Sequence, residues 1–172
     1  MRRLAWAIGI VILAVLLVGC SRKTAADPIG EGFSCSVKAV YRDMQVRGTL
    51  TREAVGTLTM SFTAPETLDG LTARWDGGDV TLTMHGMSFA MDPASVPESA
   101  LGEEIIAAFD AALRGEGERT QKDGKLTVRD SGANGEYTLV FDAETGRPLS
   151  LSVPSLPLTA EFSDFKSINN GG

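Results

Sequence analysis

From Phe33 onward the chain alternates. Phe33, Cys35, Val37, Ala39 and Tyr41 are interleaved with Ser34, Ser36, Lys38, Val40 and Arg42. A period of two sends successive side chains to opposite faces, so one face can be buried while the other stays wet; this predicts a half-buried β-strand. A turn is expected at Asp43-Met44, and then the pattern recurs. Val46, Gly48 and Leu50 follow, then Leu58, Met60 and Phe62, which stop at Pro65 because proline donates nothing to a ladder. Leu71, Ala73 and Trp75 lead through Asp76-Gly77-Gly78-Asp79, a hairpin turn whose glycines tolerate positive φ, into Val80, Leu82 and Met84. His85-Gly86 turns the chain again before Met87, Phe89 and Met91. After residue 117 come Arg119 and Gln121, a turn at Asp123-Gly124, then Leu126 and Val128. Three more apolar sets close the pattern: Tyr137, Leu139 and Phe141; Leu149, Leu151 and Val153; Leu158, Ala160 and Phe162.

One stretch breaks the period. Leu101, Ile105, Ala108, Phe109 and Ala112 recur at helical spacing and fall on one face, with Glu103, Glu104 and Asp110 placed off it. Ser95 and Glu98 have capping-box spacing ahead of it, and Gly115 stands where a helix stops. About ten short strands separated by turn signals, with one amphipathic helix between two meanders, predict a mainly β (α+β) fold: an antiparallel, half-open β-barrel covered by one central helix.

The N-terminus is of another kind. Arg2 and Arg3 precede an apolar run from Leu4 to Val18. A basic head with a short apolar run reads as a secretory signal, and the run is short of the roughly 20 residues that span a bilayer. Leu17-Val18-Gly19-Cys20 resembles the bacterial lipobox, after whose third residue a lipoprotein signal peptide is removed. That resemblance implies a signal peptide over residues 1–19 and lipidation of Cys20 (diacylglycerol, palmitate-type chains). The alternative is a membrane-spanning anchor with an incidental cysteine. Residues 20–32, small and polar with Pro28, Gly30 and Gly32 as breakers, read as a flexible tether. The folded domain is expected over 33–166 and a disordered tail over 167–172. A lipobox places the domain outside the cytoplasm, anchored on the outer side of the cytoplasmic membrane, or in an outer membrane where the organism has one. Ser21 is not the aspartate that would hold a lipoprotein at an inner membrane.

Charge and chemistry exclude several classes. The 172 residues carry a net charge of −6, and loss of Arg2 and Arg3 with a signal makes the remainder more acidic still. An acidic chain with no Lys/Arg cluster is a poor partner for nucleic acid or anionic headgroups. With Cys20 assigned to lipid, Cys35 stands alone, either a small buried hydrophobe or an intermolecular thiol. His85 is the single histidine and has no nucleophile-elbow serine motif, so no enzyme activity is expected; a hydrolase using it is a remote third reading. The Asp76/Asp79 and Asp142/Glu144 pairs have too few oxygens for calcium, and zinc ligands are too few. No metal and no cofactor are expected.

Taken together, the domain is similar to the LolA/LolB-type lipoprotein-carrier superfamily. The likeness rests on Phe33-Ser34-Cys35-Ser36-Val37 at the first strand, Gly48-Thr49-Leu50 and Gly56-Thr57-Leu58 at the second and third, and Pro65-Glu66-Thr67-Leu68-Asp69-Gly70-Leu71 with the Trp75-Asp76-Gly77-Gly78 hairpin. Thr145-Gly146-Arg147-Pro148-Leu149 matches a late turn of the same kind. In that family a cavity between sheet and helix holds acyl chains. Carried over, the implied lining is Leu58, Met60, Phe62, Trp75, Leu82, Met84, Phe89, Ile105 and Phe109, unless these are simply core. Met60, Met84, Met87 and Met91 favour a cavity, since flexible thioethers suit adaptable apolar sites. The resemblance implies non-enzymatic binding of a lipid, a lipidated ligand or a protein partner. The alternative is a structural or regulatory lipoprotein with a dry core, acting through a sheet edge or as a homodimer.

Overall fold

The computed structural model describes residues 32–92 and 100–168. Cys20, the expected signal, the expected tether up to residue 31, the Ser95/Glu98 capping box and the last four residues lie outside them. Among the described residues eleven strands form one antiparallel sheet: β1 (Phe33–Tyr41), β2 (Met44–Arg52), β3 (Thr57–Ala64), β4 (Thr72–Asp76), β5 (Val80–Met84), β6 (Met87–Met91), β7 (Glu118–Lys122), β8 (Lys125–Gly132), β9 (Gly135–Asp142), β10 (Pro148–Val153) and β11 (Leu158–Ser167). Helix α1 (Ala100–Arg114) separates β6 from β7, and a 3-10 turn (Glu66–Leu68) separates β3 from β4. This is the expected half-open barrel with a single covering helix.

The order in the sheet is β6-β5-β4-β3-β2-β1-β11-β10-β9-β8-β7. Two meanders, β1 to β6 and β7 to β11, are joined where the first strand pairs with the last. Phe33 lies opposite Ser167, and the Ile168 N–H donates to the Gly32 carbonyl at 2.9 Å, so the sheet runs one residue past the expected domain edge at 166. β6 and β7 are never paired with each other, which leaves the barrel open.

Irregularities curl the sheet. The register shifts between Ser34 and Ser36 against β11, between Arg47 and Gly48 against β3, and between Pro148 and Ser150 against β9. Each shift bends its strand and adds twist. Gly48 is required at its bend, because a Cβ there would collide with the Ser61 carbonyl. The concave face collects the apolar phase of every long strand: Cys35, Val37, Ala39, Leu50, Leu58, Met60, Val128, Leu139, Phe141, Leu151 and Val153 are all buried.

Two details depart from the sequence expectation. The first hairpin turns on Arg42-Asp43, not Asp43-Met44; Met44 already pairs with Tyr41, because Arg42 takes the positive φ (54°) the tight turn needs. β7, expected from Arg119 and Gln121, is a strand although none of its side chains is buried. Glu104 and Asp110, placed off the helix's apolar face, are buried at 2% and 8% exposure. A helix lying in a concave sheet is covered on its flanks as well as its stripe, and flank carboxylates survive there by finding partners. The helix ends at Gly115 (φ 80°). There the N–H groups of Glu116 and Gly115 return to the carbonyls of Ala111 and Ala112, a Schellman closure.

Candidate functional site

The site is the space that α1 leaves unfilled. A cavity of about 240 Å³ opens between the N-terminal turn of the helix and the β1–β5 side of the sheet. Its walls come from facing strand ends: Tyr41 of β1, Met44 and Val46 of β2, Phe62 of β3, Ala73 and Trp75 of β4, and Val80 and Leu82 of β5. Leu68 and Leu71, from the 3-10 turn and the loop after it, close one side, and Leu101 of the helix closes the top. Besides the Trp75 indole, Tyr41 supplies the polar group of that lining. No lining side chain carries a formal charge, so the wall is one that water hydrates poorly.

The gap exists because of how the helix rests. Gly102 lies flat on the Trp75 indole, and a Cβ at that position would collide with the ring. The ring thus limits how closely the N-terminal turn approaches β4, and Leu101 lines the space that remains. The other end is sealed. Phe109 meets Phe33 edge-on with centroids 5.8 Å apart and Phe162 at 5.4 Å, while Phe33 also touches Phe165 at 5.5 Å. Beside this cluster the Arg52 guanidinium donates to Asp110 Oδ1 at 2.6 Å, and the Gly56 N–H donates to Asp110 Oδ2 at 2.9 Å. Arg52 is 2% exposed and its Nε has no hydrogen-bond partner among the described residues.

The residues singled out in the sequence separate into three groups. Phe62, Trp75 and Leu82 line the cavity. Leu58, Met60, Ile105 and Phe109 are packed in the core below it, with at most 1% exposure. Met84 is half-buried at the end of β5, and Phe89 stands 58% exposed on β6. Sequence reasoning passed over Tyr41, Met44, Val46, Leu68, Leu71, Ala73, Val80 and Leu101 as lining. All but Leu68 and Met44 already belong to its apolar strand and helix phases, so the inward face was readable while the position of the gap was not.

Cys35 faces the core at 2% exposure and is free of disulfide. Burial, reinforced by the negative charge of Asp164, pushes its thiol up to about 12, so it is an un-ionised hydrophobe at neutral pH. His85 occupies the β5–β6 turn with φ 50° and is exposed. On the β8–β9 side, Asn134 donates to Glu104 Oε1, while Glu104 Oε2 and the Tyr137 hydroxyl have no hydrogen-bond partner among the described residues. Burial, then the charge of Asp130, raises Tyr137 to about 12. Among the described residues no group of three or more His, Cys, Asp or Glu could hold a metal ion, and no helix is long and apolar enough to cross a membrane.

No family model matches the chain, and no curated protein sequence matches it. Solved structures do. An uncharacterized conserved protein from Thermus thermophilus is similar at 10% identity, over 86% of this chain and 85% of its own, with a TM-score of 0.49. A LolA superfamily protein from Nitrosomonas europaea is similar at 11% identity, over 87% and 92%, with a TM-score of 0.44. A chain in the structure of the CwlD amidase from Clostridioides difficile in complex with the GerS lipoprotein is similar at 13% identity, over 94% and 93%, with a TM-score of 0.44. At these values each likeness is one of outline. The architecture stands on the strands and helix described above.

Proposed function

We propose that this protein is an extracytoplasmic lipoprotein, anchored through lipid on Cys20, whose half-open barrel binds an apolar group without catalysis. The group is part of an acyl chain, carried by a lipid or a lipidated ligand, and it enters beneath the N-terminal turn of α1. One observation supports the reading above the rest: the cavity has an apolar lining of Leu, Met, Val, Phe and Trp side chains and no charged group. Its volume of about 240 Å³ is below the roughly 300–1,000 Å³ of pockets that enclose a whole drug-sized ligand. It therefore suits one chain end, not several complete chains.

The experiment is native mass spectrometry of the full chain purified from membranes. The expected spectrum contains the protein with a bound acyl species, lost when Leu101→Trp fills the space under the helix. A spectrum free of bound lipid for the wild-type chain, with added fatty acid also failing to bind, sinks the reading. The same spectra report the mass added at Cys20, so a missing anchor and an empty cavity are told apart.

A further inference from the structure

Among the described residues β6 has a strand neighbour on its β5 side alone. The turn that makes this hairpin is His85-Gly86, with φ of 50° and 78°, a two-residue turn of the type that continues strand twist. The residues flanking such a turn form a hydrogen-bonded pair, and hydrogen-bonded and non-hydrogen-bonded pairs alternate from there. Met84–Met87, Leu82–Phe89 and Val80–Met91 are thus the bonded pairs within the hairpin. Ser88 and Ala90, the residues between, aim their N–H and C=O groups outward along the open edge.

We propose that β6 pairs antiparallel with β6 of a second copy of this chain, about a two-fold axis through Phe89. The register follows from parity. Ser88 and Ala90 of one copy exchange both backbone bonds with Ala90 and Ser88 of the other, and the two Phe89 residues meet as a non-hydrogen-bonded pair, the closer kind. Met87 then lies against Met91 of the second copy, twice. Met87, Phe89 and Met91 share the face that carries Val80 and Leu82, so the exposed apolar strip of each copy (Met87 and Phe89 are both 58% exposed) is covered by its own equivalent. Met87-Ser88-Phe89-Ala90-Met91 has the same side-chain classes read in either direction, which is what an isologous contact needs.

Charge points to the same occupant. The strand carries none, and the two-fold sets Asp92 of one copy level with Gly86, beside His85, of the other; carboxylate does not meet carboxylate. The opposite free edge is built otherwise. β7 reads Glu118-Arg119-Thr120-Gln121-Lys122 with every residue exposed, the charged type of edge that pairs with nothing apolar. Edges of five residues bury well under the ~1,200 Å² of a stable interface. The dimer is consequently weak in dilute solution and fills when copies are crowded together.

The test is oxidative crosslinking of the purified full-length chain at high concentration, with the wild-type chain setting the background from Cys20 and Cys35. Across a non-hydrogen-bonded pair the Cα separation of about 4.5 Å falls within disulfide range, so Phe89→Cys is expected to give about tenfold more linked homodimer than wild type. Met87→Cys alone stays unlinked, while a mixture of Met87→Cys and Met91→Cys chains links. Phe89→Lys returns the wild-type dimer to monomer in sedimentation, with an unchanged melting curve because the side chain is exposed. The proposal is overturned if Phe89→Cys stays monomeric, if Met87→Cys or Thr120→Cys links to itself as fully, if the adduct mass is not twice that of the chain, or if wild type sediments as a monomer at its highest soluble concentration. None of these outcomes depends on whether the cavity holds lipid.

Discussion

The two ends of α1 meet the same sheet in different ways. At the C-terminal end Phe109 is wedged between Phe33 and Phe162, and Asp110 is locked to Arg52 and the Gly56 N–H. At the N-terminal end Gly102 rests on Trp75 and Leu101 overhangs an unfilled space. The hydrophobic period is the same at both ends. What differs is side-chain volume and a buried charge pair, so an amphipathic pattern specifies where a helix lies but not how completely it seals what it covers.

The sharpest way to break the comparison is at the sealed end. Asp110→Ala leaves the Arg52 guanidinium buried without its carboxylate and is expected to cost about 3–5 kcal/mol in urea denaturation, whereas the pair Arg52→Met with Asp110→Leu restores most of it. Next, Phe109→Ala is expected to cost about 3–5 kcal/mol and Leu101→Ala about 2, the low end for its type, because Leu101 already lacks neighbours on its cavity side. Equal losses at the two positions would mean that the ends do not differ.

Alkaline titration comes third. The Cys35 thiol ionises at about 12 in the fold against an ordinary value of 9.0, and Tyr137 at about 12 against 10.0, both chiefly through burial. The unfolded chain releases these protons first, so their contribution is intact below pH 9 and is lost as pH rises toward 12, by about 1.4 kcal/mol per unit for each group in its window. Cys35→Ala flattens the fall from pH 9 and Tyr137→Phe that from pH 10, read from melts at successive pH values.

Gly102→Ala is smaller still. Its methyl presses on the Trp75 ring, and lifting the helix turn is expected to cost about 1–3 kcal/mol by the same denaturation. Arg114→Ala, which breaks the solvent-exposed pair with Glu116, serves as the control with no measurable change.

Most of the sheet was legible because alternation and burial have a single cause. Phe33 to Tyr41, Leu58 to Phe62 and Tyr137 to Phe141 each read as a strand with a definite inner face, and each has it. β7 was read from Arg119 and Gln121 ahead of the Asp123-Gly124 turn and not from an apolar phase, since both its faces meet water. The first turn was misplaced by one because arginine seldom takes positive φ, and nothing in Arg42-Asp43 announces it. Glu104 and Asp110 were set outside the covered face because helical spacing marks one stripe, while the curl of the sheet decides how far up the flanks the cover extends. The cavity was legible as a choice of face and not as a place. Met60 and Leu82 share one face, through Ala73 between them, yet only Leu82 touches the void. Which inward positions do so depends on the height of the helix, and that height is set by one glycine lying on one indole.

That arrangement makes α1 a lever. Its fulcrum is the Asp110–Arg52 bond with the aromatic cluster beside it, and its free arm is the turn that carries Leu101. A group wider than the resting gap would have to raise that arm off Trp75 against the pinned far end, and the space beneath would then be a wedge, widest at its mouth.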